Sequence, residues 1–477
     1  MITAWPKQSV SSQEDATSGA SVKEYTDPSE LAESYDVVIV GAGGAGMAAA
    51  ISAKDAGANV AIFEKMPVAG GNTSKSSAGM NASQTKFQEA EGIEDSNDSF
   101  FEETLKGGKE TNDQELLRYF VDNSAAAIDW LDSLGITLSN ITTTGGMSVN
   151  RTHRPADGSA VGGYLVNGLY NNVVEREIPL FVNANVTEIL QADGAASGIK
   201  VEIGGETKEI AAKAVIITTG GFGANMEMVT ELKPELEGYV STNQEGSTGD
   251  GIAMALALGA ATVDLDQIQI HPSVEQSTAY LITEAVRGEG AILVNQQGER
   301  FVNELETRDV VSAAIIGLEE QYAYVVFDSA LKDRVKAIAQ YEEKGLVQGA
   351  DSIEALAETL EIPAETLAAT LTTWNEAVAG QNDEAFGRTT GMENDLSTGP
   401  YYAIKVAPGI HHTMGGLKIN TQAQVLNEEG QAIPGLYAAG EVTGGLHGSN
   451  RIGGNAVADI IIFGRQAGQQ AAELAAQ

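Results

Sequence analysis

Residues 35 to 64 constrain the fold more than any other stretch of the chain. A run of strand-forming residues, Tyr35-Asp36-Val37-Val38-Ile39-Val40, leads into Gly41-Ala42-Gly43-Gly44-Ala45-Gly46, then a helical stretch rich in alanine, then Val60-Ala61-Ile62-Phe63 ending on Glu64. Strand, glycine turn, helix and second strand in that order predict a βαβ unit that binds a dinucleotide. The first two glycines permit a tight turn and close backbone approach to a pyrophosphate. The third lets the helix pack on the strand, and the free amides at the helix start face negative charge. Glu64 stands where a carboxylate would take a ribose 2′-hydroxyl. In a chain with 54 glycines a bare GxGxxG is as often an ordinary turn, so the flanking strands and the acid decide the reading.

A length of 477 residues exceeds what one hydrophobic core usually serves, and 43% hydrophobic content can fill two. No apolar run reaches the roughly 18 to 20 residues needed to span a bilayer, and residues 1 to 30 lack the apolar centre of a signal peptide, so no integral membrane protein is expected. The net charge of -38, from 66 acids against 28 bases, repels nucleic acid and anionic membranes alike. Arg287, Arg308 and Arg451 stand out against that background. With no cysteine, disulfides, thiolate metal sites, iron-sulfur clusters and c-type haem attachment are excluded from this chain. Electrons must then travel by a flavin, a soluble carrier or another protein.

The organisation is uneven. Residues 1 to 34 are rich in Ser, Glu and Thr and read as a flexible leader. From Tyr35 to about Asp264, strand and helix patterns alternate, with Ala214 to Gly221 a buried strand ending in a turn, which implies a parallel sheet covered by helices. Residues 266 to 412 carry their own helices, one from Ser352 to Leu360 and one after Pro363, and read as an inserted domain. The tail from Thr413 contains a strand and turn at Gly435 to Glu441 and a helix from Ala456 that closes the first domain.

Further strings recur in order along the chain: Gly70-Gly71-Asn72-Thr73, Ser148-Val149-Asn150-Arg151, Ile270-His271-Pro272, Thr283-Glu284-Ala285-Val286-Arg287-Gly288, Arg300-Phe301-Val302-Asn303-Glu304, Thr307-Arg308-Asp309, His411-His412-Thr413-Met414-Gly415-Gly416 and Asn450-Arg451-Ile452-Gly453-Gly454-Asn455. On these the chain, from about Ser34 to its end, resembles the flavoprotein part of the soluble flavocytochrome c fumarate reductases. That family sits in a wider group with succinate dehydrogenase flavoprotein subunits, aspartate oxidase and urocanate reductase. The resemblance implies an α/β fold: a discontinuous Rossmann-like FAD-binding domain (35 to 265 and 413 to 477) with an inserted α+β capping, or clamp, domain (266 to 412). It implies FAD at Gly41, Gly43, Gly44, Ala45, Gly46, Glu64, Lys65, Gly70, Gly71, Asn72, Thr73, Ser77, Gly79, Met80, Asn81, Val186, Thr219, Gly220, Asp250, His412, Gly440, Glu441, Arg451, Gly454, Asn455, Ala456 and Val457. The FAD is expected to be non-covalent, because the histidine that attaches it in membrane-bound relatives has no counterpart around Gly71 to Ser77.

Reduction of an unactivated double bond by hydride pushes charge onto a carboxylate, which must be gripped and polarised in a dry site. Arg451 suits a bidentate grip on one carboxylate, as a planar guanidinium does best. By resemblance His411 takes the same carboxylate, His271 and Thr283 take the other, and Arg308 donates the proton. A carbanion is basic enough to accept from arginine, and Glu284 with Arg287 resembles the relay that restores the proton from solvent. Closure of the inserted segment, whose junctions lie near His271 and His411, would expel water. The resemblance further implies a sodium ion near Thr413, Met414, Gly415, Glu441 and Thr443, a monomer, and a periplasmic rather than cytoplasmic setting, which the lack of cysteine also favours.

The expected reaction is therefore FAD-dependent reduction of fumarate, a small dicarboxylate. A reductase of another 2-enoate of the urocanate, acrylate, methacrylate or cinnamate type is the alternative; His271 with Glu284 argues against urocanate, whose subgroup resembles Tyr and Asp there. A non-catalytic flavin electron carrier would need no carboxylate clamp, and Arg308, His411 and Arg451 argue against it. The family members named first carry haem in an added domain and this chain has none, so the electron donor is open between a cytochrome, a reduced flavin and an FMN domain. Asp15-Ala16-Thr17-Ser18-Gly19-Ala20-Ser21, preceded by Gln8-Ser9-Val10, resembles the flavinylation motif and the end of an FMN-binding domain, with Ser21 as the FMN attachment residue. Too little chain precedes it to build such a domain, so a linker or remnant is the favoured reading.

Overall fold

A computed structural model describes residues 24 to 477; Ser21 and its motif lie outside the described residues. The main sheet runs, edge to edge, Gln424–Leu426, Ala432–Ala438, Glu206–Ile217, Ser34–Val40, Val60–Phe63, Leu180–Phe181. Its centre is parallel: Val38 pairs with Ala61 on one side and Val215 on the other. Val37 to Ile39 are fully buried, as expected for a strand covered on both faces. The helix Gly44–Asp55 follows the glycine turn, and the helix Asn455–Ala475 packs against it. Two glycines four apart permit that contact, since a Cβ on Gly464 would lie 2.7 Å from Ala45 O and one on Gly468 2.2 Å from Ala49 O. This tight seam joins the tail to the first βαβ unit.

The expected alternation of strand and helix holds at the start and then breaks. Between Phe63 and Leu180 the chain makes helices and a small sheet of Met80–Asn81, Asn140–Thr142 and Thr152–Arg154. Asn185–Ala192, Ala195–Ile203 and Glu206–Ile217 then form an antiparallel meander. Its two turns, Asp193-Gly194 and Gly204-Gly205, have positive φ at both residues, the backbone that a two-residue hairpin requires. Boundaries shift slightly as well: the last helix begins at Asn455 rather than Ala456, and the strand before Gly440 begins at Ala432 rather than Gly435. The flexible leader is corrected at its described end, where Thr26 N donates to Leu180 O at 3.0 Å and Tyr25 Oη accepts from Ala69 N at 2.9 Å. The first bond ties it to the main sheet's edge strand and the second to the loop before Gly70.

A second sheet has the order Tyr280–Leu281, Ile268–Glu275, Tyr401–Thr413, Ala323–Asp328, Ile292–Val294. It lies over its own hydrophobic cluster, which includes Val286, Val326, Leu371, Trp374 and Ile404. The helices Ile353–Leu360, capped by Ser352, and Ala364–Gly380, after Pro363, pack there. Strands Ile268–Glu275 and Tyr401–Thr413 pair antiparallel and bridge the two cores: Ile268 and Ile410 belong to the first cluster, Ile404 and Val406 to the second. This ribbon carries His271 and His411. Among the described residues no helix is long and apolar enough to cross a membrane.

Candidate active site

Two adjoining cavities, about 760 and 780 Å³, share Asn72, Thr73, Glu441 and Ile460. The first is walled by Gly41, Gly43, Gly44, Ala45, Glu64, Lys65, Gly71, Val186, Thr219, Gly220 and Asp250. Gly41 has φ +105°, and a Cβ there would meet Thr218 O at 2.5 Å. A Cβ on Gly46 would sit 2.0 Å from Gly41 O, so this glycine sets helix against strand and does not line the cavity. The N-cap, Gly43, supplies no side-chain acceptor to the helix start. Gly44 N donates to Thr73 Oγ1 at 3.0 Å, and the bare glycine backbone with the next amide, Ala45 N, fits a pyrophosphate. Glu64, whose carboxyl burial pushes up, braces the turn by accepting from Ala42 N at 2.8 Å and Met66 N at 2.9 Å. Lys65 pairs with Asp250 at 2.5 Å across this wall.

Ser77, Gly79, His412, Arg451, Gly454, Ala456 and Val457 wall the second cavity together with Arg308 and His411. Gly70, Met80, Asn81, Gly440 and Asn455 line neither cavity. Asn81 instead buttresses the Arg451 loop, with Nδ2 donating to Gly453 O and Asn455 Oδ1, both at 2.7 Å. Gly70 and Gly440 turn the chain with φ +129° and +79°, and Met80 is core.

Three guanidiniums converge beside the second cavity. Arg308, at the start of helix Arg308–Ile316, donates through Nε to Glu284 Oε1 at 3.2 Å and through Nη2 to Oε2 at 2.8 Å. Glu284 and Arg287 share one face of the short helix Glu284–Gly288, with Arg287 Nη2 3.6 Å from Glu284 Oε1. Burial pushes the Glu284 carboxyl up, but Arg308 and then Arg287 and Arg451 override it and hold it at about 2. Burial, then Arg308, draws Arg451 down to about 9, and burial also lowers Arg287. Arg451 Nε and Arg287 Nε are buried with no hydrogen-bond partner among the described residues. A cationic cavity with orphaned donors is built for an anion.

The imidazoles of His271 and His411 meet edge to face at 5.2 Å. Burial, reinforced by the arginines, pulls both and His412 well below the ordinary histidine range, so they are neutral. Ser273 N donates to His271 Nδ1 at 3.2 Å, and an amide can only donate, so the ring proton sits on Nε2. That Nε2 is buried and unpartnered among the described residues. Thr283 is buried and caps its helix, accepting from Ala285 N at 3.3 Å.

Around the expected sodium residues, Glu441 accepts from Thr413 N at 3.1 Å and Asn72 Nδ2 at 3.3 Å and lies 3.4 Å from His412 Nδ1. Thr443 donates to Gly440 O at 2.8 Å, and Thr413 Oγ1 is buried without a partner among the described residues. Met414 N donates to Gln267 O at 2.9 Å, and Gly415 lies so close to Asp264 O that a Cβ would fall at 2.0 Å. Among the described residues no cluster of three His, Asp or Glu side chains suits a metal.

Sequence reasoning missed Gln269. Its Oε1 accepts from Arg308 Nη1 at 3.1 Å, while Nε2 donates to Asn450 Oδ1 at 2.9 Å and Arg451 O at 2.7 Å, tying the two arginines together. The available signal was its spacing of two from His271 on one strand. Lys75, Thr242 and Asn243 also line the second cavity, and their polar loops carried no motif.

Comparison with known proteins fits this geometry. The family model described as an FAD binding domain matches residues 36 to 457. The NADH:fumarate oxidoreductase of Klebsiella pneumoniae (strain 342) is 56% identical over 93% of the chain, which spans 48% of that relative, about half its length. The fumarate reductase (cytochrome) of Shewanella frigidimarina is 46% identical over 92% of the chain and 77% of the relative. The open conformation of a flavocytochrome c3 fumarate reductase superposes with a TM-score of 0.78 at 42% identity, covering 94% of this chain and 80% of that one. The chain therefore carries an FAD-binding domain and belongs to the fumarate reductase flavoprotein family.

Proposed function

We propose that the chain reduces fumarate to succinate with reduced FAD. The observation that carries this reading is a charge count. Arg287, Arg308 and Arg451 are three buried guanidiniums, and the imidazoles of His271 and His411 are neutral. Among the described residues Glu284 is the one carboxylate within ion-pair distance of the three, while Asp459, which also lines the cavity, faces His447 at 3.3 Å, so cations outnumber anions at the clamp. Burial also pushes Glu441 toward its neutral form. A dicarboxylate dianion balances that excess; an acrylate or cinnamate, with one charge, would leave a buried cation uncompensated.

Reduced FAD supplies a hydride to one alkene carbon when bound. Arg451 and His411 take one carboxylate, and His271 Nε2–H with Thr283 takes the other, polarising the double bond between them. Arg308, held at Nη1 by Gln269 and at Nε and Nη2 by Glu284, keeps further N–H protons to give to the second carbon. Glu284 Oε1, 3.6 Å from Arg287 Nη2 and 3.2 Å from Arg308 Nε, then takes a proton from Arg287 and passes it to Arg308, and Arg287 recovers one from solvent. Asn72, Thr73 and Glu441, common to both cavities, join the flavin site to this clamp.

The test is FAD-loaded protein with a reduced viologen. Dye oxidation should depend on fumarate, and Arg308→Ala should lower turnover at least about 10³-fold with FAD retained. Turnover of urocanate or acrylate with none of fumarate would overturn the substrate assignment. An active Arg308→Ala enzyme would overturn the proton donor.

A further inference from the structure

The proton on His411 poses a separate question, because a neutral imidazole can either donate to a carboxylate or repel it, depending on which nitrogen bears the hydrogen. For His271 a main-chain amide answers it. For His411 the partner of Nδ1 is a hydroxyl, Thr242 Oγ1 at 2.8 Å, which can donate or accept. The same hydroxyl also lies 3.2 Å from Ile410 O. Its one proton goes either to Nδ1, or to Ile410 O with the hydroxyl oxygen then accepting from Nδ1–H.

Two features decide the choice. Ile410 O already accepts from Thr242 N at 2.9 Å, so it does not need the hydroxyl. The contact to Nδ1 is also the shorter by 0.4 Å, from 3.2 to 2.8 Å. Thr242 itself is buried and fixed, with its carbonyl accepting from Lys75 Nζ at 3.1 Å. His411 lines the cavity beside Arg308 and Arg451, and no hydrogen bond to its Nε2 occurs among the described residues.

We propose that Thr242 is a positioning residue that donates its hydroxyl proton to His411 Nδ1, locking the ring as the Nε2–H tautomer and presenting a donor to the bound carboxylate. The anion-binding role of His411 rests on the function proposed above; the tautomer lock does not. Without the hydroxyl, His411 gains access to the Nδ1–H form, whose bare Nε2 lone pair opposes a carboxylate oxygen.

The experiment uses FAD-loaded protein labelled with 15N-histidine. Only five histidines are present, and His411→Gln identifies the His411 signals. In substrate-free wild type the His411 Nε2 should show the shift of a protonated ring nitrogen and Nδ1 that of an unprotonated one. Thr242→Val should populate the opposite tautomer and raise KM for fumarate about tenfold or more, with a smaller loss in kcat. Thr242→Ser should restore both the spectrum and KM. An Nδ1–H ring in the wild type, an unchanged spectrum in Thr242→Val, or a Thr242→Ser protein that behaves like Thr242→Val would each overturn the proposal. The spectral arm stands without any turnover, so an enzyme inert to fumarate would tell against the substrate reading alone.

Discussion

Glu284→Gln tests the proposed relay and the electrostatics of the site in one variant. The carboxyl lies at about 2 against an ordinary 4.5. At about 1.4 kcal/mol for each pH unit, that displacement is on the order of 3 kcal/mol of preference for the charged form. Its folded value lies below its unfolded one, so the contribution is present above pH 4.5 and is lost as pH falls from 4.5 toward 2. The amide keeps the shape but leaves Arg308 and Arg287 facing each other without their shared anion, a loss of about 3 to 5 kcal/mol for a broken buried pair. Thermal unfolding of the FAD-loaded protein at pH 7 should therefore occur several degrees lower in the variant, and the gap should close on acidification. Viologen-linked turnover should fall by about 10² to 10⁴, the usual contribution of a positioned proton-transfer group. A variant with unchanged melting and turnover within about threefold of wild type would refute both the pairing energy and the relay.

Three further outcomes follow from the geometry. Gly46→Ala would place a Cβ 2.0 Å from Gly41 O, so the glycine turn should open and purified protein should lose its flavin absorbance. Gly453→Ala would bring a Cβ to 2.5 Å from Glu284 Oε2 and 3.0 Å from Arg308 Nη2; turnover should drop by about 100-fold or more while the FAD spectrum stays. Succinate should raise the melting temperature of the FAD-loaded protein, by about 2.7 kcal/mol of stabilisation at 100 times its Kd, and a monocarboxylate of similar size should do so far less; equal shifts would refute the charge count.

How legible each part was follows from how local its cause is. The dinucleotide turn was plain because its glycines, flanking strands and Glu64 lie within 30 residues and each answers a steric or hydrogen-bonding need of its neighbours. The hairpins at Asp193-Gly194 and Gly204-Gly205 were equally local signals, yet the prior of strand-helix alternation hid them. His271 and His411 meet through the ribbon that pairs His271 with Gly409, a register with shifts on either side that no periodicity reveals. Their joint placement was reached through family resemblance, not from pattern. Gln269 and Thr242 were invisible for a related reason: each is a common polar residue whose role exists only through partners up to 182 positions away.

The same distinction explains why this chain can bury cations at all. Its formal charge of -38 comes from 66 acids against 28 bases, yet among the described residues Glu284 is the only carboxylate within ion-pair distance of Arg287, Arg308 and Arg451. Isolated buried cations are costly, so such a cluster persists only where the rest of the fold over-determines it. Here the restraints are visible: Gln269 ties Arg308 to the Arg451 main chain, Asn81 pins the loop beside it, and Glu304 O accepts from Arg287 Nη1. None of these groups touches the cavity through a charge of its own. Their common effect is to keep three guanidiniums from turning out to solvent, which leaves the incoming dianion as the partner that completes the pairing.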